Sequence, residues 1–174
     1  MCIFVGKITH NKSIITMQTP QRLKQLGFLG FNTVASLRKG TSVIPDVPCV
    51  YLVLYTSKSN PDFINPGTGG FFKGKNPNVS IEELQANWID NEPIIYIGKA
   101  TSLHRRIWLY IKFGNGHPVG HYGGRYIWQI KDSGSLIICW KPITDQDPAD
   151  IESRLIQEFK AQHNGQRPFA NLIG

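Results

Sequence analysis

Apolar residues along the chain form three short unbroken runs and two helical repeats. The runs are Cys49-Val50-Tyr51-Leu52-Val53-Leu54-Tyr55, Pro93-Ile94-Ile95-Tyr96-Ile97-Gly98 and Ser135-Leu136-Ile137-Ile138-Cys139-Trp140. Apolar, β-branched and aromatic runs of that length, bounded by proline, glycine or serine, predict strands covered on both faces. After the second run Leu103, Ile107 and Ile111 recur every four residues. That spacing predicts a helix from Thr101 or Ser102 to Phe113-Gly114. Ile151, Leu155, Ile156 and Phe159 mark a second long helix, with Asp147 able to cap it and Pro148 at its first position. Gly165 and Pro168 stop it near His163. Ser80 with Glu83 three residues on is a capping box, predicting a short helix over 81–88.

The remaining stretches are less regular. Gln21 to Gly27 and Thr33 to Lys39 each suit a short helix. Residues 57–79 are rich in Gly, Pro, Asn and Ser and predict an excursion from the core. Residues 122–131 fit a helix or a strand equally well. Two strands before a helix, then a third strand and a last helix, predict an α+β domain. Its sheet is small, three-stranded and mostly antiparallel, flanked by helices. Residues 1–47 are expected to be an N-terminal extension packed on the core, and 48–174 the main module with an insertion over 57–92.

The 174 residues suit one domain, and a hydrophobic fraction of 41% supplies its core. Lys and Arg total 19 against 12 Asp and Glu, a formal charge of +7, which favours an anionic partner, nucleic acid first. No apolar run reaches the roughly 18 residues of a membrane span. The opening Met-Cys-Ile-Phe-Val-Gly-Lys is too short for a signal peptide and lacks a small-residue cleavage site. Cys2, Cys49 and Cys139 are odd in number and far apart, which predicts reduced, buried thiols and a cytoplasmic protein.

Three groups break the local patterns. On a wheel at about 100° per residue with Ile151 at zero, Glu152 falls inside the apolar arc of the last helix. An unpaired buried carboxylate is costly. Glu152 therefore needs either an ion pair to a core-lining cation, a rotamer that escapes to water, or a role as a metal ligand at a cleft. Arg106 and Tyr110, four residues apart, share one edge of the earlier helix beside its apolar stripe, and Lys99 leaves the preceding strand near them. His117 and His121 have metal-ligand-like spacing, yet Pro118 and Gly120 interrupt any helix between them and no cysteine is near. His121 is expected instead close to the cleft, as an acid, a base or a nucleic-acid contact.

Tyr96-Ile97-Gly98-Lys99-Ala100, then Leu103 and Arg106, resembles the second half of the GIY-YIG nuclease signature. Cys49-Val50-Tyr51 resembles its first half, with Cys49 where glycine is usual and Val50 where isoleucine is usual. The family's helix arginine ten residues past the second tyrosine is matched by Arg106, and its Tyr or His four further on by Tyr110. Its metal-binding helical glutamate is matched by Glu152, and an asparagine near the module's end by Asn171. The resemblance runs from residue 48 to about 172. About forty residues separate Tyr51 from Tyr96, where a short hairpin is usual. The whole chain looks most like small stand-alone bacterial proteins of this superfamily.

The resemblance implies a metal-dependent endonuclease that hydrolyses DNA phosphodiester bonds, the alternative being a non-catalytic nucleic-acid-binding or interaction module of the same fold. RNA is a further candidate substrate. Glu152 would hold Mg²⁺ or Mn²⁺, and Arg106 would fork onto the phosphate's non-bridging oxygens. Tyr51 would be the general base, its pKa lowered by Lys99 and the metal, with Tyr96 supporting it. Tyr110 would orient water or phosphate, and Asn171 would tie the C-terminus to the site. Lys73, Lys75, Lys112 and Arg125 would track the DNA backbone. Dimerisation would suit specific cutting, since a domain of this size reads few base pairs. Trp128 and Trp140 are expected in the core.

Overall fold

The computed structural model describes residues 19–173. Cys2 and the opening heptapeptide lie outside them. Thr19 Oγ1 accepts from the Arg22 N–H and Pro20 occupies the first turn, starting α1 (Pro20–Gln25). Strand β1 (Leu29–Thr33) follows, then α2 (Val34–Lys39), capped by the Thr33 hydroxyl. β2 spans Cys49–Leu54, α3 Ile81–Asn87 and β3 Ile94–Ala100. Ser80 Oγ caps α3 by accepting from the Glu83 N–H at 3.1 Å. α4 (Leu103–Gly114) begins at the Ser102 cap. The ambiguous segment 122–131 forms 3-10 turns over Tyr122–Gln129. β4 (Ile137–Pro142) and α5 (Pro148–Gln162) complete the domain, α5 starting at Asp147 and Pro148 as its sequence dictates.

The sheet has four antiparallel strands in the order β1-β4-β2-β3, and so corrects the expected three. The extra strand has no apolar pattern to reveal it. Gly30 and Phe31 both have positive φ, the register shifts between Leu29 and Asn32, and Leu29 is exposed. A Cβ on Gly30 would sit 2.0 Å from the Trp140 ring, so only glycine lets β1 close over that indole.

Successive residues of β2 point to opposite faces. Tyr51 and Val53 join α2, α4 and the 3-10 turns in one core, while Val50, Leu52 and Leu54 join α1 and α5 in the other. The insertion is pinned by Gln129, which is buried. Its Oε1 accepts from the Val79 N–H at 2.8 Å, and its Nε2 donates to the carbonyls of Ile64 and Val79.

Candidate active site at the open edge of the sheet

β3 is an edge strand, and its outward-facing backbone groups are covered from one end only. The Ala170 N–H donates to the Ile95 carbonyl at 2.8 Å. The Asn171 amide then mimics a strand residue, accepting from the Ile97 N–H at 2.9 Å and donating to the Ile97 carbonyl at 2.8 Å. Beyond Ile97 the edge opens into a cleft of about 1000 Å³, walled by Tyr96, Lys99, Arg105, Arg106, Glu152 and Asn171. Helices from the two faces of the sheet meet there, α4 supplying the arginines and α5 the glutamate.

On the α4 face, Tyr51 and Tyr96 lie with ring centroids 5.9 Å apart. Gly98 makes this possible. A Cβ there would come within 2.5 Å of Tyr51 Cζ and 2.7 Å of Tyr96 Cε1. Arg106 Nε donates to the Tyr51 hydroxyl at 3.1 Å. Burial works against the guanidinium charge, but the oxygens of Tyr51 and Tyr96 outweigh it, so the Arg106 pKa is raised and the group stays cationic. Tyr96 lines the cleft, whereas Tyr51 is fully buried behind it.

Burial also pushes the Tyr51 pKa well above 10, with Tyr96 adding to the rise and Arg106 opposing it. That direction is opposite to the lowering that a general base needs, and Tyr51 has no exposure of its own. Lys99 does not assist it, because alternation along β3 turns Lys99 to the other face, where its Nζ lies 3.9 Å from Glu152 Oε2. The anomalous glutamate of α5 thus has the ion-pair partner its position requires, and its carboxylate is 22% exposed at the cleft wall. Burial raises the Glu152 pKa, while Lys99, Arg106 and the Lys99 backbone N–H pull it back.

Tyr110 lies beneath the cleft with no exposure, its hydroxyl without a hydrogen-bond partner among the described residues. Burial raises its pKa well above 10. It stacks edge-on to His121 at 4.6 Å between centroids. His121 is 2% exposed, so it is no surface contact for nucleic acid, correcting that expectation. Burial and then the charge of Arg106 push its pKa down to about 3, which leaves a neutral imidazole. His117 is exposed and does not share its site.

None of the predicted backbone contacts lines the cleft. Lys73 and Lys75 sit on a tight hairpin closed by the Lys75 N–H to the Phe72 carbonyl, where Lys73 and Gly74 both have positive φ. Lys75 faces the Tyr122 ring at 6.0 Å, and Arg125 covers the same ring at 4.5 Å. Lys112 is on the outer side of α4. Trp128 and Trp140 are core residues, and Cys49 and Cys139 are buried free thiols pushed up to about 12 by burial. The close approach that the sequence expects at Gly98 is to the rings of Tyr51 and Tyr96, whereas Arg105 was not singled out. The signal for Arg105 is its place one residue before Arg106, on the helix turn that opens the cleft.

A Mg²⁺ ion commonly takes one or two carboxylates and fills its remaining positions with water and substrate phosphate. Glu152 at the cleft wall fits that donor set. No cluster of three His, Cys, Asp or Glu side chains able to enclose an ion occurs among the described residues. Any ion here would therefore be held by Glu152, solvent and substrate together. Comparisons with protein-family models, with curated proteins and with solved structures give no match.

Proposed function

We propose that the chain is a divalent-metal-dependent endonuclease that hydrolyses DNA phosphodiester bonds. One observation carries this reading: a partly buried, hydrogen-bonded arginine and a half-buried glutamate, delivered from opposite faces of one sheet, open on a single cleft. Binding DNA alone needs cations and no inward-turned acid.

Arg106, held through Nε by Tyr51, keeps further N–H donors for the non-bridging oxygens as charge builds on them. Its fixed protonation means that the positive charge is present before substrate arrives. Tyr96, the phenol on the cleft wall, orients the attacking water, and Tyr51 acts as a positioning residue for Arg106. Glu152 would hold Mg²⁺ or Mn²⁺, which when bound supplies charge neutralisation at the phosphate. Lys99 then exchanges its contact with Glu152 for one with the nucleic acid. Lys73, Lys75, Lys112 and Arg125 add sequence-independent attraction for the backbone.

The Lys99–Glu152 contact also favours a second reading, a nucleic-acid-binding module in which the acid is simply paired. The two are separated by incubating supercoiled plasmid, branched DNA and single-stranded DNA with the protein and Mg²⁺ or Mn²⁺, beside Glu152→Ala. The nuclease reading expects metal-dependent products that vanish in the variant. Salt-sensitive binding with no products on any substrate would transfer the assignment to the binding module.

A further inference from the structure

The outer side of α4 carries an aromatic group used neither by the core nor by the cleft chemistry. Trp108 is 43% exposed and belongs to neither hydrophobic cluster. The other tryptophans are engaged: Trp128 and Trp140 are buried, and Trp88 packs edge-on against Tyr55, Phe63 and Phe169. At 3.6 residues per turn, Arg105, Trp108, Leu109 and Lys112 fall in one arc of about 100° on α4. Arg105 and Leu109 line the cleft, and Trp108 and Lys112 lie next to them on the same arc, outside the lining. The Lys112 ammonium lies 5.5 Å from the Trp108 ring centroid.

A solvent-facing indole between two cations, beside an anion-binding cleft, combines the two features that hold unpaired nucleotides: a stacking surface and phosphate partners. A duplex keeps its base faces stacked on one another and offers this ring little, whereas an unpaired base offers its full π-face. A second copy of the chain is a poorer occupant. A two-fold contact through Trp108 would bring the Arg105 and Lys112 cations of both copies together.

We propose that Trp108, flanked by Arg105 and Lys112, is a base-stacking platform for an unpaired nucleotide beside the cleft. The preferred nucleic acid therefore has a single-stranded segment. This deepens the nuclease reading and rests on it for the position of cleavage, but not for binding.

Binding of a labelled mixed-sequence single strand and of a blunt duplex of equal length is measured by anisotropy in EDTA. Wild type, Trp108→Ala and Trp108→Tyr are compared, each first checked by thermal melting. The platform predicts that Trp108→Ala weakens single-strand binding about tenfold, leaves duplex affinity within about twofold, and is largely rescued by Trp108→Tyr. Equal losses on both nucleic acids, no loss on either, or no binding by wild type overturns it. So does a change in solution mass in Trp108→Ala, which would assign the indole to a second copy. Cleavage with Mg²⁺ is scored separately. Turnover without Trp108-dependent binding removes the platform alone. Trp108-dependent binding with no turnover removes the nuclease reading and leaves the platform standing.

Discussion

Under α5 the sheet presents Val50, Leu52, Leu54, Ile97 and Cys139 to Leu155, Ile156 and Phe159. Under α4 it presents Tyr51, Tyr96 and Trp140 to a layer holding Tyr110, Trp128 and, through its hydrogen bond, Arg106. The first face is apolar, and the titratable group within it, the Cys139 thiol, is kept neutral by burial. The second buries the hydroxyl of Tyr110, both ring nitrogens of His121 and two indole N–H groups without partners among the described residues. Orphaned buried polar atoms are rare because each costs about 1–3 kcal/mol. On α5 Glu158 Oε2 is in the same position, so most but not all of that cost falls on the face that orients Arg106. The comparison teaches where stability and chemistry are divided: α5 is held by its apolar underside and offers one acid at the edge, whereas α4 is held on a polar aromatic bed.

The division can be broken from the aliphatic side first. Leu52→Ala, at a position 2% exposed, should cost about 2–5 kcal/mol in denaturant unfolding while the folded fraction keeps its rate per molecule. A fall in that rate would show that the two faces are not independent. Gly98→Ala attacks the other side. Its Cβ must displace both tyrosine rings, so we expect about 1–3 kcal/mol of destabilisation and a clear loss of cleavage. Gly123→Ala is the matched control, since that residue lines the same cleft with nothing within 4 Å of an added Cβ.

The polar bed should also respond to acid. The folded His121 pKa lies near 3, pushed down by burial and by Arg106 from an ordinary 6.5. The unfolded chain takes up the proton first. The stabilising contribution is therefore whole above pH 6.5 and is lost as pH falls toward 3, at about 1.4 kcal/mol per pH unit. His121→Phe should flatten this part of the stability profile, and an unchanged slope would place the acid sensitivity elsewhere. The smallest effect is expected of Tyr110→Phe. Removing an unpaired buried hydroxyl should leave stability unchanged or raised by about 1 kcal/mol, with turnover within about twofold. A large loss of turnover would return Tyr110 to the chemistry that the sequence suggested for it.

Much of this arrangement is legible in the chain. The runs at Cys49 and Ile94 mark β2 and the edge strand β3, and Ser102 and Asp147-Pro148 mark the helix starts. Glu152 is conspicuous on its helical wheel because period and polarity conflict there. The missing parts depend on contacts that sequence spacing does not encode. β1 is held by backbone pairing across a distorted Gly30-Phe31 and has no apolar alternation. The edge ladder to β3 joins groups 74 or more residues apart, so its Asn171 tie is expected through the family resemblance and its Ala170 rung is not. Depth is equally hidden: Tyr51, Tyr110 and His121 carry polar atoms suited to an open site, yet the fold closes over all three.

The central claim is that groups from opposite faces of the sheet act as one unit on a phosphodiester. Its most direct test is the metal-dependent DNA cleavage rate of wild type, Arg106→Ala, Glu152→Ala and the double variant, each confirmed folded by near-UV dichroism. The account predicts that either single substitution lowers the rate by about 10²–10³-fold or more, and that the double is little worse than the singles, because members of one catalytic unit do not add. A wild-type rate in either single variant would contradict it.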